Sequence, residues 1–167
     1  MEILIVGLIL VGLMVYASTR IKRNAAQAFE EEAIETADFS LTKPAGMLHV
    51  INGDPRYAFE AYSKDFGKIG RRDIRLATAT VEINGPETHP DEELKSELSE
   101  VIGDHHYRIT ESLDVRDGAE YRVFRKASTD DTRSVVLEVR MLSEASEDLT
   151  HSLEAMVDSF RLASPAE

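Results

Sequence analysis

The chain has 167 residues, 43% of them apolar, and carries 31 Asp and Glu against 19 Lys and Arg for a formal charge of −12. That balance excludes a collagen-like or wholly disordered polymer, and an acidic surface excludes a generic nucleic-acid binder, because phosphates need cations. With no cysteine there is no disulfide, thiolate nucleophile or cysteine-held zinc, and the length suits one domain with an appendage.

Ile3 to Thr19 carries no charged residue. A run of this kind lies near the short end of the roughly 17–25 residues with which a helix crosses a bilayer. Arg20, Lys22 and Arg23 follow it as a basic stop able to reach headgroups, and Tyr16 stands where an interfacial aromatic belongs. The expectation is a transmembrane helix over residues 1–23. No Lys or Arg precedes it, so the positive-inside rule places the protein in the inner (cytoplasmic) membrane as a single-pass protein. Its N-terminus is then outside and its C-terminal domain cytoplasmic. Two alternatives compete. A cleaved leader could use Val15-Tyr16-Ala17 as a small-residue cut site, but the sequence opens Met1-Glu2 rather than with a base. A buried core helix would rarely be apolar on every face at the extreme N-terminus of so small a protein.

Residues 24–38 read as a helical stalk, rich in Ala and Glu and free of Gly and Pro, with Ala26, Phe29, Ala33 and Ala37 forming a weak stripe. From Phe39 the apolar period shortens to two. Strands are expected at Phe39 to Lys43, Tyr57 to Lys64 and Arg75 to Ile83, divided by Pro44-Ala45-Gly46 and Asn52-Gly53-Asp54-Pro55. Pro90 then opens a helix with Asp91, Glu92 and Glu93 in its first turn, Leu94, Leu98, Val101 and Ile102 as its stripe, and Gly103 as its stop. Tyr107 to Val115 and Glu120 to Ala127 flank the hairpin signal Arg116-Asp117-Gly118, and Ser134 to Leu142 makes a further strand. Leu149, Leu153, Met156, Val157 and Phe160 mark a closing amphipathic helix from about Ser146. The expected fold is α+β, in the order βββ-α-βββ-α. It is a mainly antiparallel six-stranded sheet packed with two amphipathic helices over residues 39–163, with a flexible tail at 164–167.

Two local motifs resemble a known fold. Phe39-Ser40-Leu41-Thr42-Lys43-Pro44-Ala45-Gly46 resembles the opening strand and Pro-x-Gly turn of Mog1/PsbP-like domains. Val157-Asp158-Ser159-Phe160-Arg161-Leu162 resembles their closing helix. The resemblance spans about Phe39 to Leu162 and implies a non-catalytic binding or accessory protein. It carries over no functional residue, because neither motif is a site.

Asp104-His105-His106 is the most metal-like cluster, but neighbours on a strand point to opposite faces, and His49, His89 and His151 lack ligand spacing. No metal is expected. No cofactor is implied either, since there is no Walker or dinucleotide-binding glycine pattern, no Gly-x-Ser-x-Gly elbow and no cysteine. The electrostatic outlier is Lys64 to Arg75, where Lys64, Lys68, Arg71, Arg72 and Arg75 outnumber Asp65 and Asp73, with Gly67 and Gly70 making a mobile hairpin-like loop. One reading is a loop neutralised by nearby acids. The other is a contact for anionic headgroups or an acidic partner, carried by Lys68, Arg71 and Arg72, with Arg20, Lys22 and Arg23 at the membrane. The function expected is a membrane-anchored, non-catalytic binding module, an accessory or assembly subunit of a membrane complex, with no nucleic acid and no small-molecule substrate. The alternatives are an enzyme whose pocket residues are distant in sequence and a Mog1-like regulator of a GTPase.

Overall fold

The computed structural model describes residues 11, 13–20, 26–69, 72–85, 92–116, 118–129 and 134–163. Within them the order is β1 (Glu32–Glu35), β2 (Phe39–Lys43), β3 (Met47–His49), β4 (Tyr57–Ser63), β5 (Phe66–Ile69), β6 (Arg72–Arg75) and β7 (Ala77–Ile83). It continues β8 (Glu93–Ile102), β9 (His105–Arg116), β10 (Ala119–Thr129), β11 (Ser134–Leu142), a helix here called α1 (Glu147–Ser159), and β12 (Arg161–Leu162). The main sheet has seven strands in the order β3-β4-β7-β11-β10-β9-β8. A small sheet has the order β1-β2-β12, and β5-β6 forms a separate ribbon. Every pairing is antiparallel.

Alternation along the strands builds the core. Phe59 and Ala61 of β4, Ala77, Ala79 and Val81 of β7, and Val135, Leu137, Val139 and Met141 of β11 are buried together on one face. Helix α1 covers that face with Leu153, Met156 and Val157, followed by Phe160. Ser146 caps the helix, its Oγ accepting from the Leu149 N–H, and Glu147 and Asp148 occupy the first turn, where the helix dipole favours acids. Tyr107 of β9 joins the layers. Its ring meets Phe160 edge-on at 6.4 Å, and its hydroxyl accepts the backbone N–H of Leu162 in β12 at 2.8 Å. The Ser159 hydroxyl likewise accepts the Thr42 N–H of β2.

Lys43, fully buried, ties the segment before β1 to the domain. Its Nζ donates to the carbonyls of Glu30 at 2.5 Å and Met47 at 2.9 Å. Burial holds the Lys43 pKa below its ordinary value, opposed by the nearby Glu32 carboxylate.

Several expectations are corrected. Among the described residues no helix is long and apolar enough to cross a membrane. What is described of the apolar leader is a helical segment at 13–20. The rest of the expected span, residues 1–10, 12 and 21–23, lies outside the described residues. The single-pass placement in the inner membrane, with its N-terminus outside, rested on that helix and has no support. The helical stalk is cut to a short helical turn at 26–27, a turn at 28–29 and then β1, because Ile34 pairs with Leu41 and is buried. The helix expected from Pro90 is instead β8, the edge strand, although Pro90 and Asp91 themselves lie outside the described residues. Leu94, Leu98 and Ile102 recur every four residues, a spacing that suits a helix face and also the even positions of a strand. Pairing with β9 from Glu93↔Leu113 to Ile102↔His105 decides between them. The six-strand order βββ-α-βββ-α therefore gives way to a predominantly antiparallel β structure in which α1 is the longest helix among the described residues.

Replacing Tyr107 by Phe keeps the ring but leaves the buried Leu162 N–H without its acceptor. Y107F should therefore lower stability by about 1–3 kcal/mol in urea titration at unchanged far-UV signal. A neutral result would show that β12 is held by its strand pairing alone.

Candidate functional site

The face of the main sheet opposite α1 is outward and densely charged. Alternation sends Val136, Glu138 and Arg140 of β11 to this side, and the register brings Arg125 of β10 opposite Glu138, with Thr110 of β9 beyond it. Arg125 is only 2% exposed. Its guanidinium grips Glu92 bidentately, with Nη2 donating to Oε1 at 2.6 Å and Nη1 donating to Oε2. Nε and Nη2 also donate to Glu138 Oε2 at 2.8 and 2.7 Å. The Ser112 hydroxyl donates to the same Glu92 carboxylate. Arg140 extends the array by pairing with Glu138 at 3.3 Å and Asp114 at 2.9 Å, and Arg116 closes on Asp114 at 2.7 Å. Burial works to lower the Arg125 pKa, but the hydrogen bonds and charges of Glu92 and Glu138 outweigh it and hold the guanidinium above its usual value.

Beside this array lies a groove of about 450 Å³, walled by Arg56, Tyr57, Thr78, Thr80 and Glu82 and by the outer ends of Arg116, Glu138 and Arg140. Arg56 is itself held by Asp54, with Nη2 donating to Oδ2 at 2.6 Å. That hydrogen bond keeps the Asp54 carboxyl below its usual pKa and raises that of Arg56. Guanidiniums fixed from behind by carboxylates present their remaining N–H donors in a set geometry, which suits recognition of carboxylates and carbonyls.

The basic segment singled out in the sequence is the β5-β6 ribbon, and it is clamped to the body rather than free. A Cβ at Gly67 would lie 2.5 Å from Leu142 Cδ1 and 2.6 Å from Glu144 Oε1, so only glycine permits this approach without displacement. Arg75 stacks over Tyr62 at 4.3 Å and Phe66 at 3.9 Å while Nη1 donates to the carbonyls of Ser63 and Lys64, each at 3.0 Å. Lys68 and Arg72 are exposed. The register sets Lys68 opposite Asp73 and Arg72 opposite Ile69, so the two cations leave from opposite faces of the ribbon. Lys68 also borders a depression with Glu120 and Glu144. Arg20 is exposed at the end of the N-terminal helical segment, whereas Lys22, Arg23 and Arg71 lie outside the described residues.

Sequence reasoning missed Arg125, Arg140, Glu92, Asp114 and Glu138 as a set. Their local signal was charge at every second position, as in Asp114-Val115-Arg116 and Glu138-Val139-Arg140. Asp104, His105 and His106 stand at the β8-β9 turn. Among the described residues no group of three or more His, Asp or Glu is placed to hold a metal ion.

No protein-family model and no curated protein sequence matches this protein. Solved structures do. The crystal structure of LpqN, involved in cell envelope biogenesis of Mycobacterium tuberculosis, aligns with a TM-score of 0.55 at 9% identity, covering 81% of this chain and 91% of that one. The solution structure of cyanobacterial PsbP (CyanoP) from Synechocystis sp. PCC 6803 aligns with a TM-score of 0.53 at 12% identity, covering 80% and 92%. These likenesses show the fold, which is the Mog1/PsbP-like one that the two sequence motifs resembled.

Substituting Arg75 by Ala removes both ring contacts and two carbonyl partners at once. The expected loss is about 1–3 kcal/mol, with amide exchange accelerating in β5 and β6 more than in β10 or β11. Uniform acceleration across all these strands would show that the ribbon has no independent clamp.

Proposed function

We propose that this protein is a non-catalytic binding module that offers the β5-β6 ribbon and the adjoining outer sheet face to an acidic partner surface. The observation that carries the reading is the local excess of cations in a sequence of charge −12, with Lys68 and Arg72 exposed on the two faces of a ribbon held against the sheet by Gly67 and Arg75. A rigidly held cation loses less entropy on binding than one on a free loop. Lys68, Arg71 and Arg72 are the contact residues in this account, and Arg20, Lys22 and Arg23 form a second basic cluster that would add to the attraction. LpqN, which has the same fold, is involved in cell envelope biogenesis, and an accessory, envelope-related role is the setting we infer for this protein.

The test is charge reversal in the full-length protein. K68E combined with R72E should weaken binding to polyglutamate, used as an acidic probe, by roughly tenfold at low salt, about 1.4 kcal/mol. The difference between wild type and variant should shrink as ionic strength brings the Debye length to about 8 Å and below. Equal binding by the two proteins at low salt would remove the ribbon from the account.

A further inference from the structure

We infer that Asn52-Gly53 is a modification site at which the folded protein deamidates spontaneously, whereas the second Asn-Gly pair, Asn84-Gly85, is protected by the fold. Both asparagines hold a left-handed backbone, with φ of 62° and 61°, so conformation alone does not separate them. Their surroundings do. Asn52 and Gly53 are exposed in the loop between β3 and β4, beside an Ile51 that is 80% exposed. Gly85 is buried, and the start of β11 grips the second pair. Asn84 Oδ1 accepts the Ser134 N–H at 3.3 Å, the Asn84 N–H donates to the Ser134 carbonyl at 2.6 Å, and the Ser134 hydroxyl donates to the Gly85 carbonyl.

The chemistry is an intramolecular substitution. The Gly53 backbone nitrogen gives up its proton and attacks Asn52 Cγ, the Cγ–Nδ2 bond breaks, and the amide nitrogen takes up a proton and leaves as ammonia. The succinimide that results is opened by water at either carbonyl, yielding aspartate or isoaspartate with no oxidant or reductant involved. A glycine after the asparagine leaves the attacking nitrogen unhindered. The Glu60 carboxylate lies beside Gly53. A Cβ at Gly53 would fall within 2.3 Å of Glu60 Oε2, and that oxygen also accepts the Asp54 N–H. The product puts a new negative charge two residues before Asp54, in the loop whose Arg56 walls the outer groove.

The full-length protein is incubated in mildly alkaline buffer and analysed by peptide mass mapping. The expected result is a gain of about one dalton, with an isoaspartate fraction, on the peptide holding Asn52, and conversion at least roughly tenfold slower at Asn84. G53A should suppress the Asn52 reaction with the far-UV signal unchanged, because the nearest clash is with the movable end of Glu60 and Val50 Cγ1, at 3.0 Å, needs to give by only a few tenths of an ångström. In urea, where the fold no longer shields either pair, both should convert at similar rates. Equal conversion at the two sites in the folded protein would overturn the inference, as would an intact Asn52 after the unfolded protein has lost both amides.

Discussion

The constraint on which the rest of this structure depends is that Arg125, in the middle of the main sheet, is buried on the side facing away from the core. A guanidinium with almost no access to water is tolerable only if its donors are met, and Glu92 and Glu138 meet them from two directions. Glu138 belongs to the neighbouring strand, whereas Glu92 immediately precedes the edge strand β8. The same ion pair therefore fixes where the backbone enters the sheet and orders the charged face. Buried pairs of this kind contribute little net stability relative to apolar replacements, and their effect here is on geometry. They set Arg140 and Arg116 in line with Asp114 and leave the groove beside them with defined walls.

The two faces of the sheet thus divide the work. One is a conventional core closed by α1, with Tyr107 reaching across to β12. The other carries charge, and among the described residues no helix lies over it, α1 being packed on the core side. The ribbon lies at the Leu142 end of that second face, held through Gly67 and the stacked Arg75. Its exposed cations stand out because most of the protein is acidic, and attraction to an acidic partner would act before contact, through rate and orientation more than through final affinity.

What could be read from the sequence follows the range of each interaction. Strands at Phe39, Tyr57 and Ser134, the strand expected from Arg75 that begins at Ala77, and the closing helix were legible because their period is local, and the Arg116-Asp117-Gly118 signal located the turn between β9 and β10. The stretch from Glu93 to Ile102 was not, since its leucines satisfy both periods and only pairing with β9 selects one. The apolar leader was read as a membrane span from its composition, whereas among the described residues no helix is long and apolar enough to cross a membrane. The basic segment was visible as an excess of charge, but its clamping through Gly67 was not, because Leu142 and Glu144 are distant in sequence. The Glu92–Arg125–Glu138 array left only alternating charge as a trace, being assembled from three separate parts of the sequence.

A double-mutant cycle on Glu92 and Arg125, read by urea denaturation, tests the central claim most directly. With E92Q, R125M and the double variant, the account predicts large single losses, about 3–5 kcal/mol for R125M, and a double loss smaller than their sum by about 1–3 kcal/mol. Losses that simply add to within about 0.5 kcal/mol would mean that the two residues act independently and that the charged face is held by something else.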